Sequence, residues 1–534
     1  MKNALFFLSL SLASATASAQ QLRWQVPGAG PSTIEYLRMM PFVDYDRDGY
    51  RDFLRVIMVG PVGYATLQIT SGFDGSTLWT RDDGYYHDPV ACYAGDMDGD
   101  GEPEIAVLYS FSSAGRRIDI LSVKSNRVLW QVTGSSSGQF GAVMLGDLDV
   151  TGDGRPDFVT ITKHTSMSDI FVYDTDGALR YIVPCLSQGL IAISLCKMGD
   201  MNSDGCDDFL VGCNDTSGRG VQMLLSGQSG ALIRQGFGLL PGDKTSEHVS
   251  NLGDIDGDGV NDWAAFAYWS ASREIAVAYS GQTGAVIRSW VDYANSVVTG
   301  EDFDQDGVGD IVTGADWYLS LNVRGRTICT SGRDGTELWH LDNFQSTTGH
   351  NGTSGWMETS ASLGVQPGSP YPVVAWMDIN WWTTGTYHGR IRAYDMARAG
   401  QGPVTGVACS SSGQPPLIGA RQTTTGARVT IAKAPPGAVA FLNLALANQT
   451  SYGGLPLPIN LTPFGLTGCE LHVGPLASEW RILGTTGIDR GYAAVDFPFQ
   501  LVPTLGTSIV AQWLVFDPAT LAYAATAKHE LRGQ

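Results

Sequence analysis

Short runs of alternating apolar and polar residues flank Gly-rich turns along most of the chain. The clearest are SGFDGSTLW (Ser71 to Trp79), SGQSGALIR (Ser226 to Arg234), SGQTGAVIR (Ser280 to Arg288) and SGRDGTELW (Ser331 to Trp339). Weaker copies read SVKSNRVLW (Ser122 to Trp130) and YDTDGALRY (Tyr173 to Tyr181). A tight Gly-containing turn followed by alternating apolar residues is a hairpin signal. Further apolar runs precede each hairpin, such as Phe209-Leu210-Val211, so every repeat predicts four strands. Four strands in about 50 residues make one blade of a propeller.

Between the hairpins stands a second, acidic motif. It reads DYDRDGYRD (Asp44 to Asp52), DMDGDGEPE (Asp96 to Glu104), DVTGDGRPD (Asp149 to Asp157), DMNSDGCDD (Asp200 to Asp208), DIDGDGVND (Asp254 to Asp262) and DFDQDGVGD (Asp302 to Asp310). The copies begin 52, 53, 51, 54 and 48 residues apart, which is the period of a repeat architecture. A seventh stretch keeps the strand pattern without the acidic loop, through Leu363-Gly364, Tyr371 to Trp376 and Gly389 to Tyr394. Leu22 to Val26 resembles the last strand of a blade and is placed to complete the seventh, which would remove the open edges of the ring. The fold expected is all-β: a seven-bladed β-propeller over residues 20–400, a linker over 401–417 and a small β-sandwich over 418–534.

The acidic loop points to calcium. Ca²⁺ takes six to eight hard oxygen ligands, and alternate residues of a tight loop aim carboxylates at one point. Positions one, three, five and nine supply side chains: Asp44, Asp46, Asp48 and Asp52; Asp96, Asp98, Asp100 and Glu104; Asp149, Thr151, Asp153 and Asp157; Asp200, Asn202, Asp204 and Asp208; Asp254, Asp256, Asp258 and Asp262; Asp302, Asp304, Asp306 and Asp310. The carbonyl at position seven adds another ligand, from Tyr50, Glu102, Arg155, Cys206, Val260 and Val308. Thr151 and Asn202 are neutral, so the third and fourth sites should bind more weakly. Two other readings share these residues. An EF-hand or dockerin loop has the same first six positions but needs flanking helices, and a metal-free set of Asp turns would crowd carboxylates without a cation.

In period and loop the chain resembles FG-GAP (VCBS-type) repeat proteins, the unit of the integrin α-chain propeller, over about residues 21 to 400. The resemblance implies a calcium-binding propeller holding up to six Ca²⁺ ions, with ligands taken on the face opposite the loops. That face collects Tyr85, Tyr86 and His87, Tyr268 and Trp269, Trp317 and Tyr318, and Trp381, Trp382 and Tyr387. Aromatics on rigid turns suit protein or glycan contact. His350 and His388 lie near them without the spacing of a zinc site.

The bulk properties fit export. Lys2, the apolar run Ala4 to Ala13 and Ala17-Ser18-Ala19 read as a signal peptide over residues 1–19, cleaved near Gln20. No apolar run reaches the roughly 20 residues of a transmembrane span. The formal charge of −20 speaks against nucleic acid, and six Ca²⁺ ions would bring it to −8. Of eight cysteines, Cys92 and Cys196 occupy equivalent repeat positions and act as small hydrophobes. Cys409 and Cys469 are the best candidates for a bridge, and Cys206 with Cys213 is a weaker alternative.

The expected function is therefore an exported binding or adhesion protein for an extracellular protein or glycan. A propeller enzyme is the rival, because the SGxDGxxLW copies are similar to quinoprotein dehydrogenase repeats and rhamnogalacturonan lyases carry calcium loops on propellers. No GxSxG, P-loop or Rossmann pattern stands in a suitable setting. Beyond the linker, apolar runs at Arg428 to Ala432, Ala438 to Leu446, Glu470 to Val473, Tyr492 to Phe499 and Ser508 to Phe516 lack helical periodicity and predict the sandwich.

Overall fold

The computed structural model describes residues 21–27, 36–59, 64–85, 90–111, 115–134, 139–162, 168–239, 242–243, 246, 248–270, 273–291, 296–318, 323–342, 360–365, 372–383, 386–395, 401–405, 407–411, 414–423, 426–464, 466–497 and 508–531. The expected signal peptide, with Tyr86, His87 and His350, lies outside them. Seven antiparallel four-stranded sheets stand among the described residues. The first blade runs through Tyr36–Pro41, Phe53–Val59, Tyr64–Thr70 and Thr77–Tyr85, and five more follow from Val90, Phe140, Leu190, His248 and Ser296. The seventh takes Ser360–Val365, Pro372–Thr383 and Thr386–Asp395, and borrows Gln21–Pro27 as its fourth strand. Trp24 lies opposite Ala393 and Val26 opposite Ile391. The first-made strand thus covers the last-made edge and closes the propeller.

The central strands of a blade are buried on both faces because each sheet is packed on both sides, and Asp157–Thr162 is buried at every residue, whereas an outer strand such as Leu179–Pro184 is largely exposed. The core is accordingly divided into clusters that straddle neighbouring blades. Leu54 and Val107 share one across blades one and two, Phe158 and Leu108 one across two and three, and Val159 and Val211 one across three and four. The series continues through Leu210 with Trp263, Phe266 with Ile311, and Cys329 with Val374. Phe53 with Ala393 joins the first blade to the seventh.

A polar stitch repeats at these joints. The indole Nε1 of Trp24, in blade seven, donates to the Gly72 carbonyl in the hairpin turn of blade one at 2.9 Å. Trp130 of blade two does the same to Thr175 in blade three at 2.9 Å. The Tyr181 hydroxyl reaches the Gly227 carbonyl of blade four, and Arg288 Nη1 reaches that of Gly332 in blade six at 3.2 Å. Under each stitch sits a turn glycine: a Cβ on Gly177 would come within 2.7 Å of the Trp130 ring, and one on Gly230 within 2.8 Å of Tyr181. In three of the nine-residue hairpin motifs the last residue, Trp130, Tyr181 or Arg288, is thus the one that holds the next blade.

The C-terminal domain is a sandwich of two sheets. One has the order Gln401–Thr405, Lys528–Leu531, Ile509–Phe516, Val439–Leu446, Ala477–Ile482, and the other Leu417–Thr423, Gly426–Ala432, Ala493–Phe497. Trp513, fully buried between them, donates its indole N–H to the Thr430 carbonyl at 2.9 Å and so ties the sheets together. The stretch 401–417, expected as a linker, instead supplies the strand Gln401–Thr405 and the short pair Cys409–Ser410 with Tyr523–Ala525. Gly, Ser and Pro there shape an edge of the sheet, where ladder gaps are tolerated.

Cys409 and Cys469 are bridged, with Cα atoms 5.3 Å apart. Cys206 and Cys213 are both free. Cys213 points into the core of blades three and four and lies against Cys185, whose hydrogen bond, with burial, pushes the Cys213 thiol well up. Cys206 sits in the fourth acidic loop, before the strand Asp208–Asp215 that carries Cys213 near its far end.

Candidate metal centres

All six acidic loops fold alike, and local hydrogen bonds explain why. The first carboxylate accepts the backbone N–H of positions five and six: Asp44 from Asp48 at 3.0 Å and Gly49 at 2.9 Å, Asp254 from Asp258 at 3.1 Å and Gly259 at 2.9 Å. The carboxylate at five accepts the N–H of position seven, as Asp48 from Tyr50 and Asp306 from Val308, at 2.9 and 3.0 Å. Position six must turn with φ between 82° and 95°, from Gly307 and its counterparts, a region where only glycine is unstrained. The result gathers the side chains of alternate positions. Carboxylate oxygens of Asp44, Asp46 and Asp48, of Asp96, Asp98 and Glu104, of Asp254, Asp256 and Asp262, and of Asp302, Asp304 and Asp306 lie within 4.8 Å of one another. The third and fourth loops replace a carboxylate by Thr151 and Asn202; there Thr151 Oγ1 donates to Asp149 at 3.3 Å, and Asn202 Nδ2 to Asp204 at 2.9 Å.

Position nine carries a task that sequence reasoning missed. Asp52, Asp157, Asp208, Asp262 and Asp310 are fully buried. One oxygen of each takes the N–H of position two, as Asp262 from Ile255 at 2.8 Å, and the other takes an N–H of the hairpin turn. The turn donors are Gly72 at 2.9 Å, Thr175 at 2.9 Å, Gly227 at 3.0 Å, Gly281 at 2.8 Å and Gly332 at 3.0 Å. This bond places the acidic loops and hairpin turns on one face. The repeat itself held the signal, since a ninth Asp and a turn Ser-Gly recur together in four of these five blades.

Glu104 departs from the pattern. Its Oε2 takes the Met97 N–H at 2.6 Å, but the turn amide of Val123 bonds instead to the Pro103 carbonyl at 3.4 Å. Glu104 Oε1 is left buried without a hydrogen-bond partner beside Asp96 and Asp98. A buried oxygen of this kind is costly unless something fills its lone pairs. Burial raises Glu104 and Asp262 to about 7, and Asp52 and Asp157 to about 6, with neighbouring loop carboxylates pushing the same way. A hard cation satisfies both the orphaned oxygen and the crowded charge, so the residues present fit a divalent ion held by oxygen ligands.

The sixth loop faces the sandwich, and its Asp304 and Asp306 are met by Arg421 and Arg333. Arg333 takes the turn position held by Phe73, Gln228 and Gln282 elsewhere, a departure visible in the sequence.

The aromatic positions named above sit at the other end of the strands. Tyr85 ends Thr77–Tyr85, Tyr268 and Trp269 approach the end of Asp262–Ser270, and Trp317 and Tyr318 end Asp310–Tyr318. Trp381 and Trp382 approach the end of Pro372–Thr383, and Tyr387 and His388 begin the next strand. Each of these strands starts at, or returns to, the acidic-loop face, so the backbone brings these positions to the opposite face.

No family model and no curated protein matches the chain. Among solved structures it is similar to the exotype rhamnogalacturonan lyase YesX, at 16% identity and a TM-score of 0.42, covering 69% of this chain and 75% of that one. Rhamnogalacturonan lyase YesW is similar at 14% identity and 0.41, with the same coverage. The Dos1 propeller is similar at 9% identity and 0.37, covering 64% of this chain and 75% of that one. At such identity and overlap, function must be argued from this chain's own residues. No helix among the described residues is long and apolar enough to cross a membrane.

Proposed function

We propose that the chain is an exported, calcium-stabilised binding or adhesion protein, whose propeller presents the face opposite its acidic loops to an extracellular protein or glycan. The observation that supports the calcium part is the recurrence of one loop geometry in six blades, with Glu104 Oε1 orphaned among carboxylates. Calcium suits the set better than magnesium, because Ca²⁺ tolerates the longer Glu104 and the neutral Thr151 and Asn202, while Mg²⁺ demands a near-octahedral shell. When bound, the ion would offset two of the loop's negative charges and brace its turn. The chain's own residues do the rest: position one holds the backbone turn, and position nine ties it to the hairpin.

Catalysis is assigned to none of these residues, which serve as the frame. The aromatic positions opposite the loops support the binding reading. A glycan array on the full chain, run beside an activity screen on polysaccharides, tests it: saturable binding lost on substituting Trp381 and Trp382 with Ala is expected. Turnover of a polysaccharide without lectin-like binding would overturn it in favour of an enzyme.

A further inference from the structure

The sixth loop is the one loop buried at its centre. Asp304 and Asp306 are 3% and 2% exposed, whereas Asp48, Asp100, Asp153 and Asp258 at the fifth position of other loops face solvent. The sandwich provides the cover. Arg421 Nη1 donates to Asp304 Oδ2 at 3.3 Å and to Thr336 Oγ1 at 3.0 Å, while its Nη2 pairs with Asp334. From the propeller side, Arg333 donates to Asp306 Oδ2 at 3.0 Å and to the Asp306 carbonyl at 2.9 Å. The same guanidinium reaches across to the Ile488 carbonyl at 2.8 Å and Asp489 Oδ1 at 3.1 Å, and lies 3.6 Å from the Tyr492 ring centroid.

The fit extends to the backbone. A Cβ on Gly419 would press into the Asp304 carbonyl, one on Gly257 would meet the backbone of Gly487 and Ile488, and one on Gly307 would come within 2.7 Å of Ala432 Cβ. Ile488 also packs on the core of blades five and six. Four loop carboxylates, Asp302, Asp304, Asp306 and Asp310, stand against two buried guanidinia, Arg333 and Arg421. Each guanidinium is shared with a carboxylate outside the loop, Arg421 with Asp334 and Arg333 with Asp489, so the loop keeps a negative surplus that suits a cation. Arginine binds the Oδ2 atoms of Asp304 and Asp306, whose Oδ1 atoms accept the loop's own N–H groups of Asp306 and Val308 as in the open loops.

We infer that the sandwich is a lid on the sixth metal loop: the ion there and the docked domain hold each other, and this ion leaves only when the domain lifts. The inference rests on the calcium reading of the loops. The test follows Ca²⁺ transfer from the full chain to a fluorescent chelator. The expected record has one equivalent leaving about tenfold or more slower than the rest, because its exit is gated by a domain opening. Arg421→Gln and Gly419→Ala should move that equivalent into the fast phase. In the wild-type chain, chelation should also strip hydrogen-exchange protection from residues 487–491, a readout that needs no variant to fold. A single release phase in the wild type, a slow phase unchanged in both variants, protection unaffected by chelation, or a sixth loop that never takes up calcium would each overturn the lid. Absence of any bound calcium would instead sink the calcium reading itself, so the two failures are distinguishable.

Discussion

Position nine of each loop shows how a side chain with one apparent role carries two. Asp262 accepts backbone N–H groups from Ile255, Asp256 and Gly281, so it would organise the loop and the hairpin even where it also meets an ion. Asp262→Ala strands buried donors and should cost about 3 kcal/mol or more in urea unfolding with calcium chelated, since each unsatisfied donor costs about 1–3 kcal/mol. A second residue sets a pH dependence away from the loops. Burial pushes the His529 imidazole down to about 4, below the unfolded value near 6.5. The unfolded chain therefore binds the extra proton in that window, and the stability of the neutral histidine, present above about 6.5, is lost as pH falls toward 4. The sandwich should be about 2 kcal/mol less stable at pH 5 than at pH 7, and His529→Gln should flatten that difference in denaturant titrations. At this scale, the acidic spacing was legible because every ligand position lies in one nine-residue window. The arginine contacts were not, because Arg421 and Asp304 stand 117 residues apart and no local pattern links them.

Among the elements, hairpins and loops were readable because turn chemistry is local: Gly75 and Gly177 need left-handed backbone, and the alternation around them fixes each sheet's faces. The closing strand Gln21–Pro27 was readable too, because Trp24 repeats the hairpin's final aromatic. What that aromatic does was hidden, since its partner is the turn of the following blade. Trp130→Ala removes both the bond to Thr175 and the ring packed on Gly177, and should cost about 3 kcal/mol. Arg127→Ala, an exposed change in the same strand, should stay within about 0.5 kcal/mol, so a calorimetric comparison of the two isolates the stitch. The stretch 401–417 misled for the converse reason: its Gly, Ser and Pro content is that of a linker, but its backbone pairs with strands more than a hundred residues later.

At the scale of the molecule, seven inter-blade clusters make stability a property of the closed ring, and acidic loops on one face put much of the formal charge of −20 in one place. Calcium would then act on the whole propeller by binding the folded form alone, raising its melting temperature in proportion to the logarithm of ion concentration. The third and fourth loops, with Thr151 and Asn202 at position three, should empty first as calcium is withdrawn, and Thr151→Asp should bring its loop closer to the others in a calcium titration. The most direct measurement is equilibrium dialysis of the full chain against Ca²⁺ and Mg²⁺, followed by calorimetry of the dialysed samples. The account predicts up to six bound Ca²⁺ per chain, weak Mg²⁺ binding and a melting temperature that falls when calcium is chelated. A chain that binds no Ca²⁺ and melts at the same temperature with and without chelator would contradict it.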